Sequence, residues 1–443
     1  MIWNIVVLEN TDDDFSIGSS SDGKTISIDL SGSDKKTGIQ TNIARVLDAY
    51  GAYPSEVASE LLRLGMVVFT ADKSADRKIA FNKWSRYFRL FQPVADVDLW
   101  NGIKDKVEKA LNFLTGDHWE IFFRQEKHKH PLSEIQLQEK FPDLADPPTV
   151  VALMSGGLDS FIGAIDLLET TEDNVIFVSH YSRGGVTKTV QDRIYSLLDK
   201  HYPKRFQALQ FFVQPVDGIS EESEPSQRSR SFLFLSLAAA VASTGSNRTP
   251  LHIYENGLIS LNVPLAPNRD GGLSTRTTHP HFLTIYQDIL DSLSIDASII
   301  TPFRFLTKGE MLLASKNPGV LQEGIKLTHS CSHTTYVRFK GKSMDNHCGY
   351  CLPCIVRRAA TTHAGFNDVK YVVNVLKGKI RANTVEGKDL YAVKVALKRL
   401  EKTKPSLISH VRASGPLPGT AEEIAQYVDV YKRGMEELQK LLE

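Results

Sequence analysis

A chain of 443 residues exceeds one ordinary domain, which runs to roughly 100 to 200 residues, and its length points to two or three. Its composition, 42% hydrophobic, 23% charged and 9% aromatic, excludes a mainly disordered, collagen-like or membrane-embedded chain. Lys plus Arg and Asp plus Glu both number 52, so no global field draws the chain onto nucleic acid or an anionic membrane, and any such contact must be local.

The opening MIWNIVVLEN has a short apolar run but neither a basic flank nor a small-residue cleavage site. No stretch reaches the roughly 18 apolar residues of a membrane span. The expectation is a cytoplasmic protein without a membrane partner. Two rare residues are unevenly used. Trp3, Trp84, Trp100 and Trp119 all lie near the front, whereas Cys331, Cys348, Cys351 and Cys354 lie in one later stretch. FPDLADPPTV, with Pro142, Pro147 and Pro148, reads as a linker because successive prolines stop helix and sheet alike. The boundary falls near residue 145, dividing the chain into an N-terminal α+β module (1–145), a nucleotide-type domain (146–366) and a helical extension (367–443).

In the front module TISIDLSG and MVVFTA read as strands, and VDLWNGIKDKVEKALNFL places Leu99, Ile103, Val107, Ala110 and Leu114 at helical spacing. The tryptophans suit a small core better than a ligand surface, and no catalytic residue is assigned here. After the linker TVVALMSGGLDSFIGAIDLLE reads as strand, turn and helix, and NVIFVSHYS as a strand. SRSFLFLSLAAAVAST is a helix, PLHIYENG a strand and HFLTIYQDILDSL a helix. This alternation predicts an α/β fold, a mostly parallel sheet with helices on both faces that binds ligands at the carboxyl ends of its strands.

Ser155-Gly156-Gly157-Leu158-Asp159-Ser160 carries the strongest chemical signal. Two glycines let backbone amides approach an anion, the following helix aims its positive end at it, and Ser155 and Ser160 add hydroxyl donors. No Lys follows the glycines, so a pyrophosphate cradle fits better than γ-phosphoryl transfer. Asp159 either holds Mg2+ or caps the helix. Cys348, Cys351 and Cys354 form C-x2-C-x2-C, and with Cys331 upstream they supply the four thiolates of a closed, structural tetrahedral metal site, zinc or an iron-sulfur centre. His329, His333 and His347 read as neighbours of that site, not ligands.

SGGLDS between a strand and a helix resembles the PP-loop signature of ATP pyrophosphatases. With RSFLFLSLA, TPFRFLTKGEM and HCGYCLPCIVRRAATTHAGF in order, residues 149 to 366 resemble the 7-cyano-7-deazaguanine synthase, or QueC, family. The resemblance implies the adenine nucleotide alpha-hydrolase-like fold, cleavage of ATP between the α and β phosphates, and zinc on the four cysteines. It also makes Arg230 and Lys308 the cations that offset charge on departing pyrophosphate, beside Asp159. Glu310 is expected to cap or pack the following helix.

Departures stand beside the matches. STRTTHPHFL replaces the family's tyrosine-proline-aspartate-cysteine stretch, so only Pro280 and Phe282 align, and Ser179-His180-Tyr181-Ser182 replaces the usual Asp and Gly. Glu255 is the candidate acceptor for a guanine-like base, and Thr275, Arg276, Thr277 and His279 either meet a substrate carboxylate or form a polar loop. The front module, with ADKSADR, W-x-R and FLTGD-W, resembles the extension of enlarged QueC-like proteins, the QatC type, of bacterial antiphage Qat systems. Residues 366 to 412 hold eleven Lys plus Arg against four Asp plus Glu, which fits a solvated helical face better than nucleic acid.

The combined expectation is an ATP-, Mg2+- and Zn2+-dependent, AMP-forming ligase. It acts on a 7-deazaguanine carboxylate or amide and couples it to an amine, with a defence-system protein as partner. A PP-loop RNA-modifying enzyme and a catalytically idle ATP-binding assembly factor are the rivals.

Overall fold

The computed structural model describes the chain apart from residues 19–22, 32–35, 52, 81, 128–147, 218, 220–223, 225–227, 246, 266–275, 344, 378–379 and 403–406. The expected boundary near 145 and Thr275 lie outside the described residues.

Apolar alternation in β1 (Ile2–Leu8) and β2 (Gly23–Asp29) builds the front sheet, and the short β3 (Ile39–Thr41) leads into α1 (Ile43–Tyr50). α2 (Glu56–Ser74) starts at the Ser55 cap, whose side chain accepts from the Ala58 amide. β4 (Tyr87–Val94), α3 (Val97–Thr115) and β5 (His118–Gln125) complete this part. The front sheet runs β2-β1-β4-β5 and is parallel throughout.

MVVFTA, expected as a strand, is the middle of α2, and this is a correction. The helix packs along a later helix, α6, and bonds to residues flanking β4 and β5, so it is buried nearly all round. A helix enclosed in this way loses its polar stripe and reads as a continuous apolar run.

The second sheet begins with β6 (Val150–Leu153), followed by α4 (Leu158–Thr170), β7 (Val175–Tyr181), α5 (Thr187–His201), β8 (Phe206–Pro215), α6 (Arg230–Ala242) and β9 (Thr249–His252). The short α7 (Gly257–Ser260), α8 (Pro280–Ser292) and β10 (Ala297–Ile300) follow. Its order is β10-β9-β6-β7-β8-β3, parallel except for β3, which pairs antiparallel with β8. A strand from the front of the chain therefore extends the second sheet, and one apolar cluster runs from Trp3, Phe69 and Trp119 to Phe232, Leu251 and Tyr286. Trp3, Trp100 and Trp119 are core residues, while Trp84 is half-buried.

The chain runs from β6 through β7 to β8, then returns to place β9 and β10 on the other side of β6. The crevice between the carboxyl ends of β6 and β9 is therefore the topological switch point, where such sheets bind ligands.

Beyond the sheet come α9 (Lys308–Ala314), α10 (Pro318–Gly324), α11 (Thr334–Phe339), β11 (Asn346–His347), α12 (Leu352–Ala364) and β12 (Lys370–Tyr371). The tail forms α13 (Val385–Lys402), α14 (Leu407–Arg412) and α15 (Ala421–Leu442), and α15 packs against α12 and α7. No described helix is long and apolar enough to cross a membrane.

Candidate functional site

At the carboxyl end of β6, Gly156 adopts φ +87, a left-handed conformation that a side chain would strain, and an added Cβ would also meet Val190 at 3.1 Å. Gly157 takes ordinary extended backbone as the N-cap of α4 and donates its amide to Ser155 Oγ at 3.2 Å. Ser155 and Ser160 hydroxyls lie 3.1 Å apart, and Ser160 Oγ donates to the Gly157 carbonyl at 3.0 Å. First-turn amides of a helix have no partner within it, so this turn presents donors to an anion.

Asp159, one residue into α4, does not cap the helix. One carboxylate oxygen pairs with Lys308 Nζ; the other accepts from the Asn256 backbone amide at 3.1 Å and its side-chain amide at 2.7 Å. Burial alone would raise the Asp159 pKa, but the Lys308 charge and hydrogen bonds from Glu255 and Asn256 hold it down to about 2. Glu255 moves the other way. Burial first, and the Asp159 charge beside it second, raise its carboxyl well above the ordinary range. The pair is pulled apart: Asp159 is held toward its ionised form and half-buried Glu255 toward its protonated form. Glu255 also accepts from Asn256 at 3.0 Å, which leaves fewer lone pairs for a base.

Ser155, Gly157, Asp159, Ser160, Glu255, Lys308 and His329 share the wall of one cavity of about 260 Å³. A second cavity, of about 380 Å³, has Glu255, Thr278, Asp288, Arg304 and the tail residues Glu423 and Tyr427 in its lining. Glu255 borders both.

Arg230, the first residue of α6, donates from Nε to His180 Nδ1 at 3.2 Å and from Nη2 to the His180 carbonyl at 3.1 Å. His180 Nε2 faces the Val213 carbonyl at 3.3 Å, which assigns its proton there and leaves Nδ1 as the acceptor. Burial, then the Arg230 charge, lowers the His180 pKa to about 3, so the ring is neutral near pH 7. The Gln191 side-chain amide spans the His180 and Met154 carbonyls, at 3.3 and 3.5 Å. Arg230 lines neither cavity and reaches the glycine loop indirectly, through the His180 carbonyl it shares with the Gln191 amide.

Arg276 and His279 line neither cavity. Arg276 donates to the Phe113 carbonyl at 3.0 Å and lies over its ring, while His279 caps α8 and meets Ser414 Oγ at 3.2 Å. Both fasten α3 and the tail to α8. Glu310 completes a capping box with Thr307.

Cys331, Cys348, Cys351 and Cys354 are all buried, with their sulfurs within 4.8 Å of one another. The Cys348 and Cys354 sulfurs are 3.8 Å apart. Bonds of about 2.3 Å to one tetrahedral ion would set thiolates about 3.8 Å apart, so the cluster fits a single metal ion such as zinc. Amides of His333 and Cys348 donate to Cys331 Sγ at 3.3 Å, as expected around a thiolate. The same segment touches the glycine loop, because the His329 amide donates to the Gly156 carbonyl at 2.9 Å.

Asn256 and Gln191 join the site without being among the residues expected from the sequence. Asn256 carried a readable signal, an Asn-Gly pair just beyond a strand; Gln191 carried none. No protein-family model matches the chain, and no curated protein matches it.

Proposed function

We propose that the chain is an ATP-dependent adenylating enzyme that forms AMP and pyrophosphate. Its substrate is a 7-deazaguanine carboxylate or amide, which it couples to an amine, the amine being carried by a partner protein in a bacterial antiphage system. The observation that carries this reading is the convergence of the Ser155–Gly157 turn, Asp159, Lys308 and Glu255 on one cavity at the switch point.

Mg-ATP is the substrate, and its phosphates meet the loop amides and the Ser155 and Ser160 hydroxyls. An incoming phosphate competes with Asp159 for Lys308 and frees a carboxylate oxygen toward the magnesium that arrives with ATP. The substrate oxygen attacks the α-phosphorus, the bond to the β-phosphate oxygen breaks, and Lys308 and Arg230 offset the charge that gathers on pyrophosphate. The amine then displaces AMP. The neighbouring cavity takes the planar base beside Glu255. The four cysteines would hold a structural zinc, which would fasten the segment that forms part of the cavity wall. With every cysteine drawn into that cluster, no thiol is left for sulfur transfer, which disfavours an RNA thiolase.

The test is nucleotide turnover by the intact chain, given Mg-ATP and a 7-deazaguanine carboxylate with and without an amine. Equal yields of AMP and pyrophosphate support the reading. ATP binding without turnover under all these conditions favours the idle assembly factor.

A further inference from the structure

Arg230 is set by its two neighbours, the ring of His180 and the backbone of Ser229, and both are held by one helix from the front of the chain. Phe69 of α2 meets the His180 ring edge-on, with centroids 5.6 Å apart. Asp72, one turn further along α2, accepts from the Ser229 amide at 3.0 Å and the Ser229 hydroxyl at 2.8 Å. It caps the start of α6 from another element, since the Ser229 side chain makes no cap bond of its own.

Asp72 is itself fixed. Its other oxygen pairs with Arg86, which also reaches Asp117 at 2.7 Å, and Asp117 takes Arg77 at 2.8 and 2.9 Å. The Asp72, Arg86 and Asp117 side chains have no exposure at all. Arg228, two residues before Arg230, lies 4.1 Å over the Trp84 ring and donates to the Thr115 carbonyl at 2.8 Å. A small residue, Gly65, lets α2 approach α6 closely: a Cβ there would stand 2.9 Å from Ser236 Oγ.

Buried charges are costly to assemble and hold a single geometry when every member is matched. Phe69 and Asp72 sit three residues apart on one face of α2 and touch the two groups that aim Arg230. We infer that Phe69 and Asp72 are positioning residues for Arg230, so the front of the chain is a working part of the phosphate site. This rests on the reading of Arg230 as a pyrophosphate-facing cation.

The experiment is a double-mutant cycle in the full chain, pairing Asp72→Asn and Ser229→Ala each with Arg230→Ala. Arg230 meets charge that develops in the transition state, so each single variant should lower kcat for AMP formation about tenfold, with KM for ATP little changed. Neither should add more than about twofold in the Arg230→Ala background, and Ser229→Thr should restore the rate. Folded variants with an unchanged kcat, or losses that multiply with Arg230→Ala, overturn the inference and leave the proposed function standing. If Asp72→Asn does not fold, Ser229→Ala and Ser229→Thr decide alone. If the unmodified chain makes no AMP, the same cycle is read in the affinity for inorganic pyrophosphate. A chain that neither makes AMP nor binds pyrophosphate overturns the proposed function and the positioning role together.

Discussion

Two cations open helices at the carboxyl edge of the central sheet, and they stand in opposite electrostatic conditions. Lys308 at the start of α9 is already paired with ionised Asp159. Arg230 at the start of α6 has no carboxylate partner among the described residues; it meets a neutral histidine and a carbonyl, and burial lowers its pKa. A half-buried charge without a counter-ion suits a place where a ligand supplies the anion, whereas a paired charge must exchange partners to meet one. Each cation is also braced from a different end of the chain. α2 braces Arg230, while α15 braces Lys308 through Glu437, which accepts from the Thr307 hydroxyl and the Gly309 amide, and through Arg433, which donates to Glu310 at 2.7 Å.

The largest expected effect lies on the Lys308 side, where the cysteine segment supplies His329 and Ser330 to the cavity wall. Chelation, or Cys351→Ser, should cost on the order of several kcal/mol in denaturant unfolding, because metal binding here is folding energy. The His329 amide bond to Gly156 should carry that damage into nucleotide affinity, as calorimetry can read. A metal-stripped chain with unchanged ATP affinity would disconnect the two.

Next comes the contrast itself. Lys308→Met leaves the Asp159 carboxylate buried and unpaired and should cost about 3 to 5 kcal/mol near pH 7, besides abolishing AMP formation. Arg230→Met should lower turnover about a hundredfold to a thousandfold, yet change stability by roughly 1 kcal/mol or less. Equal destabilisation by both would erase the distinction. The acid limb sharpens it further. The Asp159 pKa, ordinarily 3.8, is held down to about 2. Its contribution to stability is therefore present above the ordinary value and lost as pH falls through about 2, and Lys308→Met should remove that loss.

Smaller effects belong to the loop and to Glu255. Gly156→Ala should cost about 1 to 3 kcal/mol from its left-handed backbone, and Gly157→Ala much less, because Gly157 already has an ordinary conformation. Paired thermal melts read the difference. Glu255 has its pKa raised above the ordinary 4.5, so its contribution is full below that value and lost as pH rises through the folded value. Glu255→Gln should flatten the decline of stability on that limb. An unchanged curve would mean that Glu255 is ionised at neutral pH.

Most of the second sheet was legible because its strands and helices alternate and each is bounded by turn residues. SGGLDS and the cysteine spacing are local signals, and the structure brings the loop to the switch point and the four sulfurs together. What escaped was tertiary. MVVFTA reads as a strand because burial on all sides erases the helical stripe, and the same burial hides the reason for Phe69 and Asp72. Arg276 and His279 looked like substrate groups from the polarity of their loop, but polarity cannot tell a ligand contact from bonds to Phe113 and Ser414. The pairing of Asp159 with Asn256 spans 97 residues, a distance over which no sequence period operates.

The most direct measurement is the fate of ATP labelled at the α-phosphate, incubated with the intact, metal-loaded chain, magnesium and a 7-deazaguanine carboxylate. The expected result is labelled AMP with an equal amount of pyrophosphate, dependent on the deazaguanine and formed about a hundredfold or more slowly by Arg230→Ala. Labelled ADP, or AMP formed equally well by Arg230→Ala and Lys308→Met, would contradict adenylation at this site.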